Sequence, residues 1–161
     1  GRALWTPRDT GKLVKLADIK PSDIVLVIGA GSGYEVALIS HLAETVIALD
    51  DTDARVDAMS ERFAALGIDQ AVAVEGDLAA GLPDQAPFAV IYVCGMVETL
   101  PEAWTSQLAE GGRLAVVTLE REGLGRGKVY TRAGDTVSAR EGFDAFPPKF
   151  PAFDRKKPFV F

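Results

Sequence analysis

Five short runs of mostly apolar residues lie in the first three-quarters of the chain. They lie at residues 23–28, 45–49, 71–75, 88–94 and 113–119. Continuous β-branched and aliphatic runs are typical of strands that are covered on both faces of a sheet. Segments with helical spacing separate several of these runs, and such alternation predicts right-handed βαβ crossovers. The pattern therefore predicts an α/β fold built around one mostly parallel sheet.

Apolar residues spaced three or four apart predict the helices. One stripe consists of Val36, Ile39 and Leu42, and a second consists of Val56, Met59, Phe63 and Leu66. Gly67 follows the second stripe and is expected to end that helix. A third helix is predicted over residues 102–108, with the letters "EGG" as its stop. Thr6 followed by Pro7 resembles a helix cap and a first-turn proline, which predicts a further helix near the N-terminus.

The pattern changes beyond residue 122. Residues 127–132, 135–140 and 157–161 are short alternating or terminal strand candidates, joined by Gly, Asp and Pro turns. We expect this end to be antiparallel or partly irregular, with its phenylalanines closing one edge of the core. A chain of 161 residues is long enough for one substantial core, so residues 1–161 are expected to form a single domain.

Composition narrows the possible functions. One cysteine and one histidine exclude an internal disulfide and a multi-cysteine or histidine-rich metal site, so no metal centre is expected. No apolar run reaches the roughly 20 residues that cross a bilayer, and the first residues do not resemble a signal peptide. We therefore expect a soluble, cytoplasmic protein with no membrane partner. Residues 21–110 carry two basic side chains against fifteen acidic ones, which argues against a dedicated nucleic-acid binder.

A glycine-rich loop is the strongest functional signal. Gly29, Gly31 and Gly33 lie between a predicted strand and a predicted helix, where a backbone without side chains turns sharply and approaches a ligand closely. Asp50 follows the next strand, at the position where a carboxylate binds ribose hydroxyls in nucleotide-binding sheets. Tight turning and helix capping alone would also explain these residues. Their combined register favours nucleotide-type binding.

The spacing of the loop indicates which nucleotide. The sequence reads G-x-G-x-G, whereas the dinucleotide fingerprint reads G-x-G-x-x-G. The acidic surroundings favour a ligand without a pyrophosphate, and S-adenosylmethionine carries a sulfonium cation instead. Both features favour a methyl donor over NAD.

Four blocks of sequence together resemble one enzyme family. The blocks are "VLVIGAGSGYE", "VIALDDT", "VAVEGDLAAGLPDQAPFAVIYV" and "LAEGGRLAVV". They resemble class I methyltransferases, specifically the protein-L-isoaspartate O-methyltransferase family. The resemblance implies a Rossmann-like fold and S-adenosylmethionine-dependent methylation of isoaspartyl carboxylates in proteins or peptides, a protein-repair activity. Members of that family carry a further helical segment before the position of Gly1, so a truncated N-terminus is expected.

The resemblance also implies roles for individual residues. The loop around the methionine and ribose parts of the cofactor would consist of Gly29, Ala30, Gly31, Ser32 and Gly33. The other contacts would come from Asp50 to the ribose hydroxyls, from Asp51, Asp77 and Leu78 to the adenine, and from Cys94 and Gly95 near the transferred methyl group.

Two positions differ from the family pattern. Val27 stands where the family normally has an acid that orients the charged methionine portion of the cofactor. Trp5 stands where the family has a serine beside the acceptor carboxylate, and Thr6 is the candidate catalytic replacement one residue later. A catalytically impaired relative that serves as a binding or interaction module is therefore an alternative. An NAD-dependent oxidoreductase is a third possibility, based on the glycine loop alone.

Overall fold

The computed structural model describes residues 4–155, and a seven-stranded sheet forms its centre. The strands are β1 (Ile24–Ile28), β2 (Thr45–Asp50), β3 (Ala71–Glu75), β4 (Phe88–Val97), β5 (Leu108–Arg121), β6 (Leu124–Ala133) and β7 (Thr136–Ala145). Their order across the sheet is β3-β2-β1-β4-β5-β6-β7. The first five are mutually parallel, and β6 and β7 are antiparallel additions at one edge. The predicted α/β fold with an antiparallel C-terminal part is confirmed.

Four α-helices accompany the sheet in the described residues. They are α1 (Pro7–Ala17), α2 (Tyr34–Ser40), α3 (Asp53–Ala65) and α4 (Glu102–Ser106). The Thr6 side chain accepts a hydrogen bond from the backbone N–H of Asp9 at 3.2 Å, which confirms the predicted cap of α1. No helix of residues 4–155 is long and apolar enough to cross a membrane.

Several predicted element ends were wrong. β4 continues to Val97, and α4 ends at Ser106 because the chain already enters β5 at Leu108. The expected "EGG" stop lies inside β5, where the register with β4 shifts. A Cβ at Gly112 would come 2.7 Å from a backbone oxygen in this irregular stretch, so the glycine serves a strand irregularity there and does not end a helix.

Two residues of the predicted apolar stripes are also exposed. Leu42 lies beyond the end of α2, in the turn that leads to β2, and 40% of its surface is exposed. Leu66 follows α3 as its C-terminal cap residue and is 62% exposed. The apolar spacing continued past the real end of each helix, so the outermost member of each stripe faces solvent.

The sheet buries a different set of side chains on each face. Alternate residues of β1 divide between the faces, Val25 and Val27 on one side and Leu26 and Ile28 on the other. Helices α1, α2 and α3 contribute side chains to the first face. The second face is covered by α4 and by the segment that follows β7.

This last segment, residues 146–155, is here called the C-terminal strap. It lies beside the end of β4, where the N–H of Met96 donates to the Pro148 carbonyl at 2.9 Å and the Met96 carbonyl accepts from the N–H of Phe150 at 2.8 Å. Phe150 and Phe153 are buried, as predicted for the C-terminal aromatics, whereas Phe146 is 62% exposed. The predicted strand at residues 157–161 lies outside the described residues.

Candidate functional site

The glycine loop lies where the order of the parallel strands reverses. β1 has β2 on one side and β4 on the other, and the loop leaves the carboxyl end of β1. In open α/β sheets, ligands bind outside the carboxyl ends of the strands at this switch point. Gly29, Gly31 and Gly33 have φ values of 74°, 58° and 82°, in the left-handed region that favours glycine. The sequence therefore needs its glycines here for backbone conformation.

Asp50 fastens this loop to the neighbouring strand. Its side chain is fully buried, and its Oδ2 accepts a hydrogen bond from the N–H of Gly31 at 2.7 Å. Its Oδ1 accepts from the N–H of Asp51 at 2.8 Å and lies 3.4 Å from Nη1 of Arg55. Hydrogen bonds to an ionised carboxylate are about twice as strong as neutral ones. The predicted partnership between the loop and Asp50 is thus present as a direct contact.

The ring of Phe150 fills the gap beside the loop. A Cβ built on Gly29 would lie only 3.1 Å from Cε1 and Cε2 of this ring, and closer still to Cζ. A Cβ built on Gly95, across the gap on β4, would lie 2.8 Å from the same Cζ. Phe150 is only 5% exposed. The two glycines therefore leave a slot at the carboxyl edge of the sheet, and the protein's own aromatic side chain occupies it.

Ion pairs hold the strap in this position. Nζ of Lys149 lies 2.7 Å from Oε1 of Glu98 and 3.1 Å from Oδ1 of Asp154. The other oxygen of Glu98 accepts a hydrogen bond from the N–H of Arg155 at 2.9 Å. The hydrogen bond from Lys149 is the main cause that lowers the pKa of Glu98, and the same bond raises the pKa of Lys149.

Aromatic contacts support Phe150 from behind. Its ring meets that of Phe153 edge-on, with centroids 5.9 Å apart, and Phe153 meets Trp104 edge-on at 5.1 Å. The indole N–H of Trp104 donates to the carbonyl of Leu78 at 2.7 Å. The strap is thereby connected, through α4, to the segment that follows β3.

A second, smaller space lies beside the loop. It is a cavity of about 20 Å³ whose lining includes Gly29, Gly31, Glu35, Cys94 and Trp5. Only 4% of Glu35 is exposed, and burial raises the pKa of its carboxyl group, which its own backbone N–H partly offsets. Sequence reasoning missed Glu35, because an acid in the first turn of a helix is normally explained by the helix dipole alone.

Two polar groups near this cavity lack hydrogen bonds. Within residues 4–155, neither Nε1 of Trp5 nor the hydroxyl of Tyr92 has a partner. The two rings lie 6.5 Å apart, and burial raises the pKa of Tyr92 well above its usual value, with Cys94 and Glu35 adding to the effect. Buried polar groups are nearly always hydrogen-bonded, so the Trp5 N–H at this cavity, which has no partner within residues 4–155, indicates a site for a polar ligand.

The predicted adenine-binding residues Asp51, Asp77 and Leu78 lie outside the glycine loop. Gly76 donates its N–H to the Asp50 carbonyl at 2.9 Å, which places the segment containing Asp77 and Leu78 beside β2. Leu78 is buried, whereas Asp77 is exposed and accepts a hydrogen bond from the N–H of Ala79. Asp51 is ion-paired with Arg55, Nη1 to Oδ1, at 2.8 Å.

Ser32 and Thr6 complete the predicted set. The Ser32 carbonyl accepts a hydrogen bond from the Arg62 guanidinium, which ties the loop to α3, and Ala30 is buried within the loop. The exposed Thr6 caps α1 and is not among the residues lining the small cavity. Among residues 4–155, no group of three or more potential metal ligands is found.

Comparison with known proteins identifies the family. Residues 4–142 match the model of the protein-L-isoaspartate (D-aspartate) O-methyltransferase family. The protein-L-isoaspartate O-methyltransferase of Dinoroseobacter shibae is 37% identical over 116 residues, which cover 72% of this chain and 54% of the relative. That of Methanoculleus marisnigri is 30% identical over 148 residues, covering 92% of this chain and 67% of the relative. The chain spans about half the length of the first of these relatives.

Solved structures agree on the fold. A protein-L-isoaspartate O-methyltransferase structure superposes with a TM-score of 0.80 at 23% identity, over 89% of this chain and 47% of the other. A Plasmodium falciparum protein assigned the same enzyme name, in complex with S-adenosyl-L-homocysteine, gives a TM-score of 0.71 at 21% identity, over 89% and 73%. Neither an oxidoreductase nor a non-catalytic module is supported by these comparisons. The chain has a class I methyltransferase fold and belongs to the protein-L-isoaspartate (D-aspartate) O-methyltransferase family.

Proposed function

We propose that this chain is the cofactor-binding part of an S-adenosylmethionine-dependent methyltransferase that acts on isoaspartyl carboxylates in proteins or peptides. The observation that carries the proposal is the direct bond between the Gly31 N–H and the buried Asp50 carboxylate at the switch point of the sheet. Family membership supports the same reaction. The proposal includes a cytoplasmic location. It includes no nucleic-acid partner and no membrane partner.

The residues of the site fit S-adenosylmethionine on the condition that the C-terminal strap moves aside. The left-handed glycines give a backbone that a ligand approaches closely, and the N–H of Trp5, which has no partner among residues 4–155, offers a donor beside them. A carboxylate offers about four acceptor positions, and we propose that Asp50 accepts hydrogen bonds from ribose hydroxyls while it keeps its backbone donors. The slot between Gly29 and Gly95 is filled by Phe150, so a nucleoside enters only when the strap moves aside. Binding and strap displacement are therefore coupled in this proposal.

The residues of this chain need only orient the methyl donor and exclude water, because the reaction requires no general base. When bound, S-adenosylmethionine supplies a methyl group on a sulfonium sulfur, and its transfer to a carboxylate oxygen yields a neutral ester and a neutral thioether. The acceptor carboxylate is ionised at neutral pH and needs no general base. Asp50 and the loop would orient the donor, while the apolar strand end around Cys94 and Gly95 would exclude water. The buried position of Cys94 suits this lining role.

The acceptor side of the site differs from the family pattern at Trp5. Trp5 replaces the serine that the family places beside the acceptor, and the oxygen of Thr6 already caps α1. A hydroxyl whose oxygen accepts one hydrogen bond can still donate another through its O–H. We propose Thr6 as the candidate residue that contacts the acceptor carboxylate, together with backbone groups of the protein.

The test is a methyl-transfer assay with paired peptides. Transfer of the labelled methyl group from S-adenosylmethionine to an isoaspartyl peptide, but not to the same peptide with normal aspartate, is the expected result. Both this chain and a full-length protein containing it should be assayed. Methylation of neither peptide by the full-length protein would refute the proposed substrate, while binding of S-adenosylhomocysteine would still be measured separately.

A further inference from the structure

We propose that Glu35 binds the α-ammonium group at the amino-acid end of the cofactor. This inference rests on the proposed function and goes beyond it, because it assigns a cofactor-binding role to a residue of α2 outside the glycine loop. It also explains how the site could bind the charged methionine portion of the cofactor although the apolar Val27 stands where the family normally has an acid.

The position of Glu35 matches this role. Its side chain lines the same small cavity as Gly29, Gly31 and Cys94, on the helix that starts directly after the loop. A cavity of about 20 Å³ holds one group of the size of water, and an ammonium group has that size. The larger remainder of the cofactor belongs in the slot that Phe150 now fills.

The charge of Glu35 calls for a cation. Within the described residues, its carboxylate makes no ion pair. Arg62, a cation that contacts a residue lining the cavity, is hydrogen-bonded to the Ser32 carbonyl instead. A buried carboxylate without a cation is costly, and the raised pKa reports that cost. A ligand ammonium would remove the penalty and would therefore bind favourably.

A second, independent observation indicates an amino acid at this position. Trp5 lines the same cavity, is only 6% exposed, and has no acceptor for its Nε1 within residues 4–155. An α-amino acid carries a carboxylate next to its ammonium group. Glu35 would hold the ammonium group inside the cavity, and the Trp5 N–H would donate to the adjacent carboxylate at the edge of the cavity.

The other acids nearby are already engaged. Asp50 accepts two backbone N–H groups and contacts Arg55, and Asp51 pairs with the same guanidinium. Val27 is fully buried and contributes no charge. Glu35 is therefore the acid that lines the cavity and has no cation of its own among the described residues.

The experiment compares two ligands that differ only at the amino-acid end. S-adenosylhomocysteine carries the ammonium and carboxylate, whereas 5′-methylthioadenosine keeps the adenosine and the thioether without them. Calorimetric titration of Glu35→Gln with both ligands should show about tenfold to hundredfold weaker binding of S-adenosylhomocysteine and unchanged binding of 5′-methylthioadenosine. Trp5→Phe should show a smaller loss with the same selectivity. Glu44→Gln, which removes an exposed acid just beyond the other end of α2, should bind both ligands like wild type.

The possible outcomes separate this inference from the proposed function. Equal changes for both ligands, or no change for either, would overturn the role of Glu35 while leaving cofactor binding intact. If wild type binds too weakly for titration, the same comparison is made in the Phe150→Ala background. If S-adenosylhomocysteine binds neither to the wild-type protein nor to Phe150→Ala, the proposed function is refuted.

Discussion

The ring of Phe150 lies against the backbone of Gly29, in the slot that the glycine opens beside β1. Gly95 forms the opposite wall, so the ring is held between the two strands that flank the switch point. Because ligands of such sheets bind at this place, the proposed cofactor would compete with the C-terminal strap for the same volume. The following predictions examine that competition and the residues around it.

Weakening the ion pairs of the strap should open the slot without disturbing the core. Glu98→Gln removes the charge that holds Lys149 and the Arg155 N–H. Because a partly exposed ion pair contributes only modestly to stability, we expect about twofold to fivefold faster cleavage by trypsin after Lys149. Saturating S-adenosylhomocysteine should accelerate the same cleavage in wild type, because it displaces the strap.

The matched control is Asp18→Asn, which removes the exposed ion pair with Lys20 just after α1 and changes no residue that contacts the strap. Its cleavage rate after Lys149 should equal that of wild type. Protection of this bond by S-adenosylhomocysteine, in place of acceleration, would contradict displacement of the strap.

Asp50→Asn should damage both the loop and ligand binding. The substitution keeps the shape of the side chain but places an amide in front of two backbone donors, from Gly31 and Asp51. We expect the free energy of unfolding to fall by about 1 to 3 kcal/mol and S-adenosylhomocysteine binding to weaken at least tenfold. Asp57→Asn, on the exposed side of α3, should change neither quantity. Wild-type affinity in Asp50→Asn would remove this carboxylate from the site.

Glu35→Gln should stabilise the ligand-free protein at neutral pH. Burial raises the pKa of Glu35 above its ordinary value of 4.5, so the folded state binds this proton more tightly than the unfolded state. The protonated form therefore stabilises the fold below pH 4.5, and that contribution is lost as the pH rises through the folded pKa. In thermal unfolding, the variant should gain over wild type as the pH rises from 4 to 7. A constant difference over that range would mean that Glu35 titrates normally.

Moving the acid from α2 to β1 should rescue ligand binding. Val27 packs in the same cluster as Trp5 and Cys94, so a carboxylate at position 27 would face the same side of the sheet as the small cavity. Val27→Glu alone adds a second buried acid beside Glu35 and should lower the melting temperature. The double variant Val27→Glu with Glu35→Gln should recover most of the S-adenosylhomocysteine affinity lost in Glu35→Gln. Affinity no better than that of Glu35→Gln would show that position 27 does not reach the ligand.

Local patterns predicted the elements that local forces determine. The aliphatic runs of β1 and β2, the glycines after β1 and the cap at Thr6 are all readable because each depends on neighbours in the sequence. Gly67 ends α3 as predicted, since it follows the cap residue Leu66 with a φ of 66°. Leu42, in contrast, continues the apolar spacing of α2 beyond the point where that helix stops. Element ends depend on tertiary contacts that spacing does not record.

Which side chains occupy the candidate site could not be predicted, because this depends on contacts between residues distant in sequence. Nothing in the letters around Phe150 indicates that its ring packs against Gly29, more than a hundred residues earlier. The C-terminal phenylalanines were expected to close an edge of the core, and the structure adds which edge Phe150 closes. Glu35 was similarly hidden, because its burial follows from how α2 packs on the sheet.

The most direct measurement is the calorimetric affinity of S-adenosylhomocysteine for wild type, Phe150→Ala and Phe88→Ala. Phe88 is buried in the same apolar cluster as Phe150 but at the opposite end of β4, so both variants should lose about 3 to 5 kcal/mol of stability. Only Phe150→Ala empties the slot beside Gly29. It should bind S-adenosylhomocysteine about tenfold to hundredfold more tightly than wild type, since no ring must be displaced, while Phe88→Ala should bind no more tightly. A folded Phe150→Ala protein with unchanged or weaker affinity would contradict a cofactor site in this slot.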